Sequence, residues 1–210
     1  MKNAILGYAR SIFLFAMSVT LIGGVDANAQ ATNEKLRSEL LQMRQRDQAA
    51  RDACTKGNAD EQIKCLMNTA ETVDHPNVKR IAEIISATGF PSAKEVGVDG
   101  VKAFFLILQH SDSVELRLKC KKGIERAFKE RVLSPSEYTS FVDRLLVKQG
   151  KPQIYGSNFE SKEGKLVMSK TTDFKNLDKR RISAGLPPIA EYVKMMKEFY
   201  NLEVVLLEGK

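Results

Sequence analysis

The feature that most constrains the fold is a nearly continuous apolar run from Val101 to Leu108. A helix formed by this run is apolar on almost every side, so it belongs at the centre of a domain, covered by other elements. Leu36, Leu40 and Met43 repeat at helical spacing and predict an amphipathic helix from about 34 to 53. The sequence therefore predicts a mainly α fold built as a single compact helical domain.

Start and stop signals place further elements along the chain. Ser92 and Ser134 each precede a glutamate by three residues, the capping-box pattern of a helix start. Asp74 before Pro76 predicts the N-cap of another helix. Residues 153–168 lose the helical pattern, so we expect a small β-hairpin or structured loop there.

Residues 1–29 have the layout of a cleavable signal peptide. Lys2 and Arg10 precede the apolar run 12–25, which leads into the small residues of Ala27-Asn-Ala29. A membrane anchor is the alternative, but a span needs about 20 apolar residues. We expect cleavage after Ala29, no later membrane span, and a periplasmic or secreted domain that comprises residues 30–210.

Charge and cysteine content narrow the function classes. The net charge is +7, but the basic residues are scattered among 26 acidic ones, so no nucleic-acid surface is predicted. Cys54 and Cys65 bracket a short polar loop and are expected to form a disulfide. Cys120 lies among apolar helix positions, which predicts a buried structural thiol. No paired metal-ligand spacing occurs, so neither a metal nor a cofactor is predicted.

Polar residues directly after the central apolar run are the first candidate site. Gln109 and His110 end the run, and Asp112 follows two residues later. His110 could donate a structural hydrogen bond to a backbone carbonyl, or act as a general base with Asp112 or Asp143 as its carboxylate partner.

A second candidate is the pair Asp143-Arg144, mid-helix beside apolar positions. Adjacent helical residues point about 100° apart, so we expect at most one of them to face the core. A third is the segment from Gln153 to Asn158, which contains Tyr155 and Gly156. Gly156 allows the backbone to approach a ligand closely or to form a tight hairpin edge.

Arg180 and Arg181 could clamp a carboxylate or phosphate, or could cover a solvated helix face.

Taken in order, these motifs resemble an uncharacterised bacterial family that is known only as a domain of unknown function. The resemblance covers about residues 34 to 196. It rests on Gly89-Phe-Pro91, Gln109-His-Ser-Asp112, Asp143-Arg144, Gln153-Ile-Tyr-Gly156 and Arg180-Arg181 with Gly185-Leu186. The family pattern has tryptophan at Phe90 and threonine with glutamine at Ser157-Asn158. The resemblance implies a fold and a polar pocket, without an activity.

Three functions follow as hypotheses for a polar pocket formed by His110, Asp143, Arg144, Gln153, Tyr155, Asn158 and Arg181. The first is binding of a small polar or anionic ligand by Arg181 and the Gly156 backbone. The second is hydrolase or lyase chemistry with His110 as general base. The third is a structural polar network in a domain that binds a protein partner without catalysis.

Overall fold

The computed structural model describes residues 31–206, apart from the side chain of Ala59. The predicted signal peptide lies outside these residues. The described chain forms two compact units, the N-terminal unit (residues 31–132) and the C-terminal unit (residues 133–206). The mainly α fold with a small hairpin is confirmed. A single domain over residues 30–210 stays a prediction.

The N-terminal unit is helical throughout. Its α-helices are α1 (Glu34–Ala53), α2 (Ala59–Thr69), α3 (His75–Thr88), α4 (Ala93–His110) and α5 (Val114–Lys129), with a π-helix over Ala70–Asp74 between α2 and α3. Helix α4 contains the apolar run and is buried along nearly its whole length, as predicted. Helix α1 packs along α4 through Leu40 and Met43, which are 0% and 2% exposed.

Local chemistry explains how α4 begins. Ser92 and Glu95 form the predicted capping box, in which each side chain accepts the other residue's backbone N–H. Gly97 interrupts the helix with φ 72° and ψ 165°, a conformation that favours glycine. Gly100 is buried inside the continuing α4. A Cβ at Gly100 would lie 2.9 Å from that of Val96, so the position requires the smallest residue.

The predicted N-cap role of Asp74 is wrong. Helices α2 and α3 are joined without a break by the π-helix, and Asp74 has helical backbone angles and caps nothing. The π-turn lets the His75 N–H bond the carbonyl of Ala70, five residues earlier. Pro76 has no N–H and would clash with the carbonyl four residues before it in a regular helix. The wider turn accommodates that proline without a cap.

The C-terminal unit combines helices with a small sheet. It contains α6 (Pro135–Lys148), β1 (Phe159–Lys162), β2 (Lys165–Met168), a 3₁₀ turn (Phe174–Asn176), α7 (Leu177–Ser183), α8 (Ile189–Tyr200) and β3 (Val204–Val205). Ser134 and Glu137 form the predicted capping box at the start of α6. The core of this unit is formed by buried apolar residues that include Phe141, Met168, Leu177, Val193 and Met196.

The sheet has the order β1-β2-β3. Strands β1 and β2 form an antiparallel hairpin in which Phe159 pairs with Met168 and Lys162 with Lys165. The two-residue turn between them is Glu163-Gly164, and both residues have positive φ, as primed hairpin turns require. Strand β3 pairs with β2 in parallel.

No helix within residues 31–206 combines the length and the apolar character that crossing a bilayer requires.

Candidate functional site

The predicted site residues occur in two groups, one in each unit. The N-terminal unit contains Gln109, His110 and Asp112. The C-terminal unit contains the rest: Asp143, Arg144, Gln153, Tyr155, Gly156, Asn158 and Arg181. The meeting of both groups around one pocket stays a prediction.

The imidazole of His110 is held by a carboxylate from another helix. Its Nδ1 lies 2.8 Å from Oδ1 of Asp47, and the two side chains are only 6% and 1% exposed. His110 is the last residue of α4, and Asp47 lies in α1. Nε2 has no hydrogen-bond partner within residues 31–206. Asp112 and Asp143 were the predicted partners, whereas the structure provides Asp47.

Asp47 is itself fixed by two neighbours in α1. Gln48 donates from Nε2 to Oδ2 at 2.7 Å. Nη2 of Arg51 lies 3.4 Å from Oδ1, the oxygen that also contacts His110, and 2.7 Å from Oδ1 of Asp74. Both oxygens of Asp47 are therefore occupied. We call these five residues the His110 cluster: Asp47, Gln48, Arg51, Asp74 and His110.

The surroundings of Asp47 determine its charge state. Burial raises the pKa of the carboxyl, but the hydrogen bond and charge of His110, the charge of Arg51 and the Gln48 amide outweigh it. The pKa of Asp47 therefore lies below its ordinary value, and the group is a carboxylate at neutral pH. A carboxylate only accepts hydrogen bonds, so Nδ1 of His110 donates to Oδ1 of Asp47.

A signal for Asp47 was present in the sequence. Leu36, Leu40 and Met43 form the apolar stripe of α1, and Asp47 continues it at helical spacing. A charged residue at a position that the pattern assigns to the core is a site candidate. The apolar stripe predicts the helix, whereas the charge at Asp47 within that stripe indicates the site.

Asp47, Asp74 and His110 each place one possible metal-ligand atom within 4.8 Å of the others. The guanidinium of Arg51 contacts both carboxylates. It therefore already provides the positive charge that a metal ion would bring to this group.

Gln109 has a different environment from its neighbour His110. Its Oε1 accepts a hydrogen bond from Nη1 of Arg117 at 2.6 Å, and Nη2 of Arg117 donates to the carbonyls of Gln109 and Ser111. Arg117 is 0% exposed and Gln109 is 2% exposed. This buried arginine, which the sequence did not indicate, satisfies the carbonyls at the C-terminal end of α4. The side chain of Asp112 is exposed.

In the C-terminal unit, Asp143 holds the loop after α6. Its carboxylate accepts the backbone N–H groups of Ile154, Tyr155 and Ser157 at 2.8 to 3.0 Å, and the Ser157 hydroxyl at 2.8 Å. Burial raises the pKa of Asp143, against the effect of these bonds. The loop thus presents its amides to an anion, and that anion is the protein's own carboxylate.

Gly156 is what allows the loop to fold around Asp143. Its φ is +68°, and a Cβ there would lie 3.2 Å from Cδ2 of Leu177. Gln153 and Asn158 close the loop. The Gln153 amide donates to the carbonyls of Asn158 and Ser169 and accepts the Asn158 N–H. The Gln153 side chain is therefore engaged in fixing the backbone, and Nδ2 of Asn158 donates to Oγ of Ser169 at 3.0 Å.

The two arginines of α7 also bind backbone carbonyls. Arg180 donates to the carbonyls of Ile154, Thr172 and Asp173. Arg181 is 1% exposed, donates to the carbonyls of Tyr155 and Pro187, and lies 4.8 Å from the ring centroid of Tyr192. Burial lowers the pKa of Arg181 below its ordinary value.

The expectation that at most one of Asp143 and Arg144 faces the core is wrong. Asp143 is 0% exposed and Arg144 is 8% exposed. Helix α6 is buried on several faces, since Thr139, Phe141 and Leu145 are buried as well. Adjacent residues that point about 100° apart can therefore both be covered.

Residues 34–205 match the model of a Family of unknown function (DUF6624). The chain belongs to this family. The resemblance to an uncharacterised family is thereby confirmed. Comparisons with curated proteins and with solved structures gave no match.

Proposed function

We propose that this protein is exported, binds a small polar ligand at the His110 cluster and uses His110 as a general base. The observation that carries the proposal is the 2.8 Å contact between Nδ1 of His110 and Oδ1 of Asp47. A carboxylate on Nδ1 fixes the orientation of the ring and leaves the Nε2 lone pair for a proton. Few residues of the chain suit this role, because it has only two histidines.

The proposed reaction begins with the transfer of a proton to Nε2 of His110. In hydrolysis, a water gives its proton to Nε2 and its oxygen attacks the electrophilic carbon or phosphorus; in elimination, a C–H group gives the proton and its electron pair forms a carbon–carbon double bond. In both, the bond to the leaving group breaks with its electron pair, and the leaving group takes the proton back from Nε2. The imidazolium that results is stabilised by Asp47, which keeps its negative charge through Arg51 and Gln48. This arrangement suits hydrolysis or lyase chemistry.

Turnover measurements test the role of His110. A panel of esters, amides, phosphodiesters and β-elimination substrates is assayed with wild type, His110→Gln, Asp47→Asn and the control His75→Gln. His75 is the matched control because its side chain is 58% exposed. We expect His110→Gln to lower kcat about 10²- to 10⁴-fold and His75→Gln to leave it unchanged. Equal kcat for wild type and a folded His110→Gln protein would contradict the proposal.

The Asp47→Asn variant distinguishes a loss of orientation of the His110 ring from a loss of folded protein. We expect kcat to fall with little change in KM, because the ring of His110 loses its charged partner. If turnover instead falls at every pH only in proportion to the loss of folded protein, Asp47 has a structural role.

Export to the periplasm or the medium is part of the proposal. The layout of residues 1–29 supports it, and so does the Cys54–Cys65 disulfide, since such bonds form in oxidising compartments. N-terminal sequencing of the protein recovered from a bacterial host should give Gln30 as the first residue. Recovery of the uncleaved chain from the cytoplasm alone would contradict export.

For the Asp143 cluster, defined as Asp143, Gln153, Asn158, Arg180 and Arg181, we propose a scaffolding role. The supporting observation is that their hydrogen bonds go mainly to the backbone around the 153–158 loop. Catalysis by Asp143 and Tyr155, and ligand binding by Arg181, would require these contacts to open. We expect Gln153→Ala to lower stability without changing the KM of any substrate found above. A selective rise in KM at unchanged stability would restore the ligand-binding role.

A further inference from the structure

Two buried hydrogen-bond donors, one within the His110 cluster and one three residues after Asp74, lack an acceptor. Nε of Arg51 and Nδ2 of Asn77 are buried without a hydrogen-bond partner among residues 31–206. Asn77 is only 5% exposed. Buried polar groups in native proteins are nearly always bonded, so an unfilled donor indicates a missing water, ion or ligand. Both groups donate, and the partner they lack must therefore be rich in acceptors.

Asn77 lies on the helix of Asp74, the residue that Arg51 contacts. Asn77 follows Asp74 by three residues on the continuous helix from α2 to α3, so both lie on the same face. Asp74 accepts a hydrogen bond from Nη2 of Arg51 at 2.7 Å. Asn77 is thus one turn along from the Arg51–Asp74 pair, and the acceptor that would satisfy both donors belongs beside Asp74.

The same guanidinium adjoins the proposed general base. Arg51 and His110 both contact Oδ1 of Asp47. The guanidinium and the imidazole therefore meet at one carboxylate oxygen. Asp74 is 16% exposed and Arg51 is 23% exposed, so the pair has access to solvent.

We propose that the substrate carries a carboxylate or phosphate group, which binds Arg51 and Asn77 and displaces Asp74 from the guanidinium. The inference rests on the proposed function, because it names the substrate class of the His110 cluster. In the ligand-free protein, Asp74 occupies the guanidinium as an internal anion. The substrate anion exchanges with it and fills the donors that Asp74 leaves without an acceptor.

The test uses sodium acetate and sodium phosphate as probes, at constant ionic strength, with binding measured by thermal shift and calorimetry. The two probes distinguish a carboxylate site from a phosphate site. We expect wild type to bind at least one, and Arg51→Gln and Asn77→Leu to weaken binding about tenfold or more. Arg46→Gln is the control, because Arg46 is an exposed arginine of the same helix.

Two further variants test the exchange between Asp74 and the probe anion. Asp74→Asn removes the internal competitor, so the probe should bind about tenfold more tightly. Asn77→Leu removes an unfilled donor, so without the probe its melting temperature should equal or exceed that of wild type. A structural asparagine would give the opposite result. Failure of both probes to bind, or weaker binding by Asp74→Asn, would overturn the inference.

His110→Gln separates this inference from the proposed function. We expect it still to bind the probe, and Arg51→Gln and Asn77→Leu to weaken that binding in its background as well, because the imidazole contacts neither donor directly. Suppose that His110→Gln loses turnover while Arg51→Gln and Asn77→Leu bind the probe as wild type does. This result would refute the anion site alone. Probe binding that follows the expected pattern, with full turnover in His110→Gln, would refute the general base alone.

Discussion

Arg181 donates a hydrogen bond from Nη1 to the carbonyl oxygen of Tyr155 at 2.6 Å. The same guanidinium donates from Nε to Pro187 and lies against the ring of Tyr192. We expect Arg181→Lys to lower the free energy of unfolding by about 2 kcal/mol, because an ammonium cannot reproduce the planar fork. Urea denaturation measures the loss. The exposed Lys179 provides a control, since Lys179→Ala should change stability by less than about 0.5 kcal/mol.

Asp143→Ala should be among the most destabilising single substitutions in the C-terminal unit. It removes the acceptor for three backbone N–H groups and the Ser157 hydroxyl. We expect a loss of about 3 kcal/mol or more, since each buried donor left unsatisfied carries a penalty. Hydrogen exchange should show faster exchange at Ile154, Tyr155 and Ser157. Unchanged exchange at these amides would contradict the role of Asp143 in holding the loop.

Stability should depend on the ionisation of Asp47 in acid. The pKa of Asp47 is lowered in the folded state, so its contribution is complete above the unfolded value of about 3.9. It is lost as the pH falls through the lower folded pKa. Unfolding measured from pH 2 to 7 should therefore lose this part of its acid dependence in Asp47→Asn. An identical pH slope in both proteins would show that Asp47 is not the titrating group.

Removal of the disulfide should destabilise the N-terminal unit. Cys54 and Cys65 are separated by 11 positions in the chain. The chain-entropy model gives a loss of about 3 kcal/mol for the Cys54→Ser, Cys65→Ser double variant. Dithiothreitol should lower the melting temperature of wild type and leave that of the double variant unchanged. Equal sensitivity of the two proteins would point to an effect elsewhere.

Cys120 should be inert in the folded protein. The residue is a free, buried cysteine, and burial raises the pKa of its thiol to about 12. Because the thiolate is the reactive form, a thiol reagent at pH 8 should label Cys120 only when the chain unfolds. Labelling followed by mass spectrometry, with and without urea, measures this. Rapid labelling of the native protein would be inconsistent with a buried thiol.

Local sequence signals predicted the helices well but not the partners of the site residues. Serine and glutamate three positions apart form a cap within one turn, so Ser92 and Ser134 could be recognised directly. The contact between His110 and Asp47 joins residues 63 positions apart. It depends on how α1 packs along α4, which no local pattern specifies.

The Asp143 cluster shows a second reason for incomplete prediction. The sequence indicated the correct polar residues and the need for Gly156, whose φ is positive. It could not indicate that most of their partners would be backbone groups of the C-terminal unit. Amides and guanidinium groups that suit a ligand suit a carbonyl equally well, so residue type alone does not distinguish the two.

The π-helix over Ala70–Asp74 has a consequence for how this family can vary in length. One residue corresponds to about 100° of rotation in an α-helix, so one extra residue would turn the disulfide end at Cys65 away from the face that contains Asn77. The π-turn takes up that residue locally, because its hydrogen bond spans five residues instead of four. A deletion of one residue within 70–74 should therefore give an uninterrupted α-helix that needs no new loop and keeps the two faces aligned.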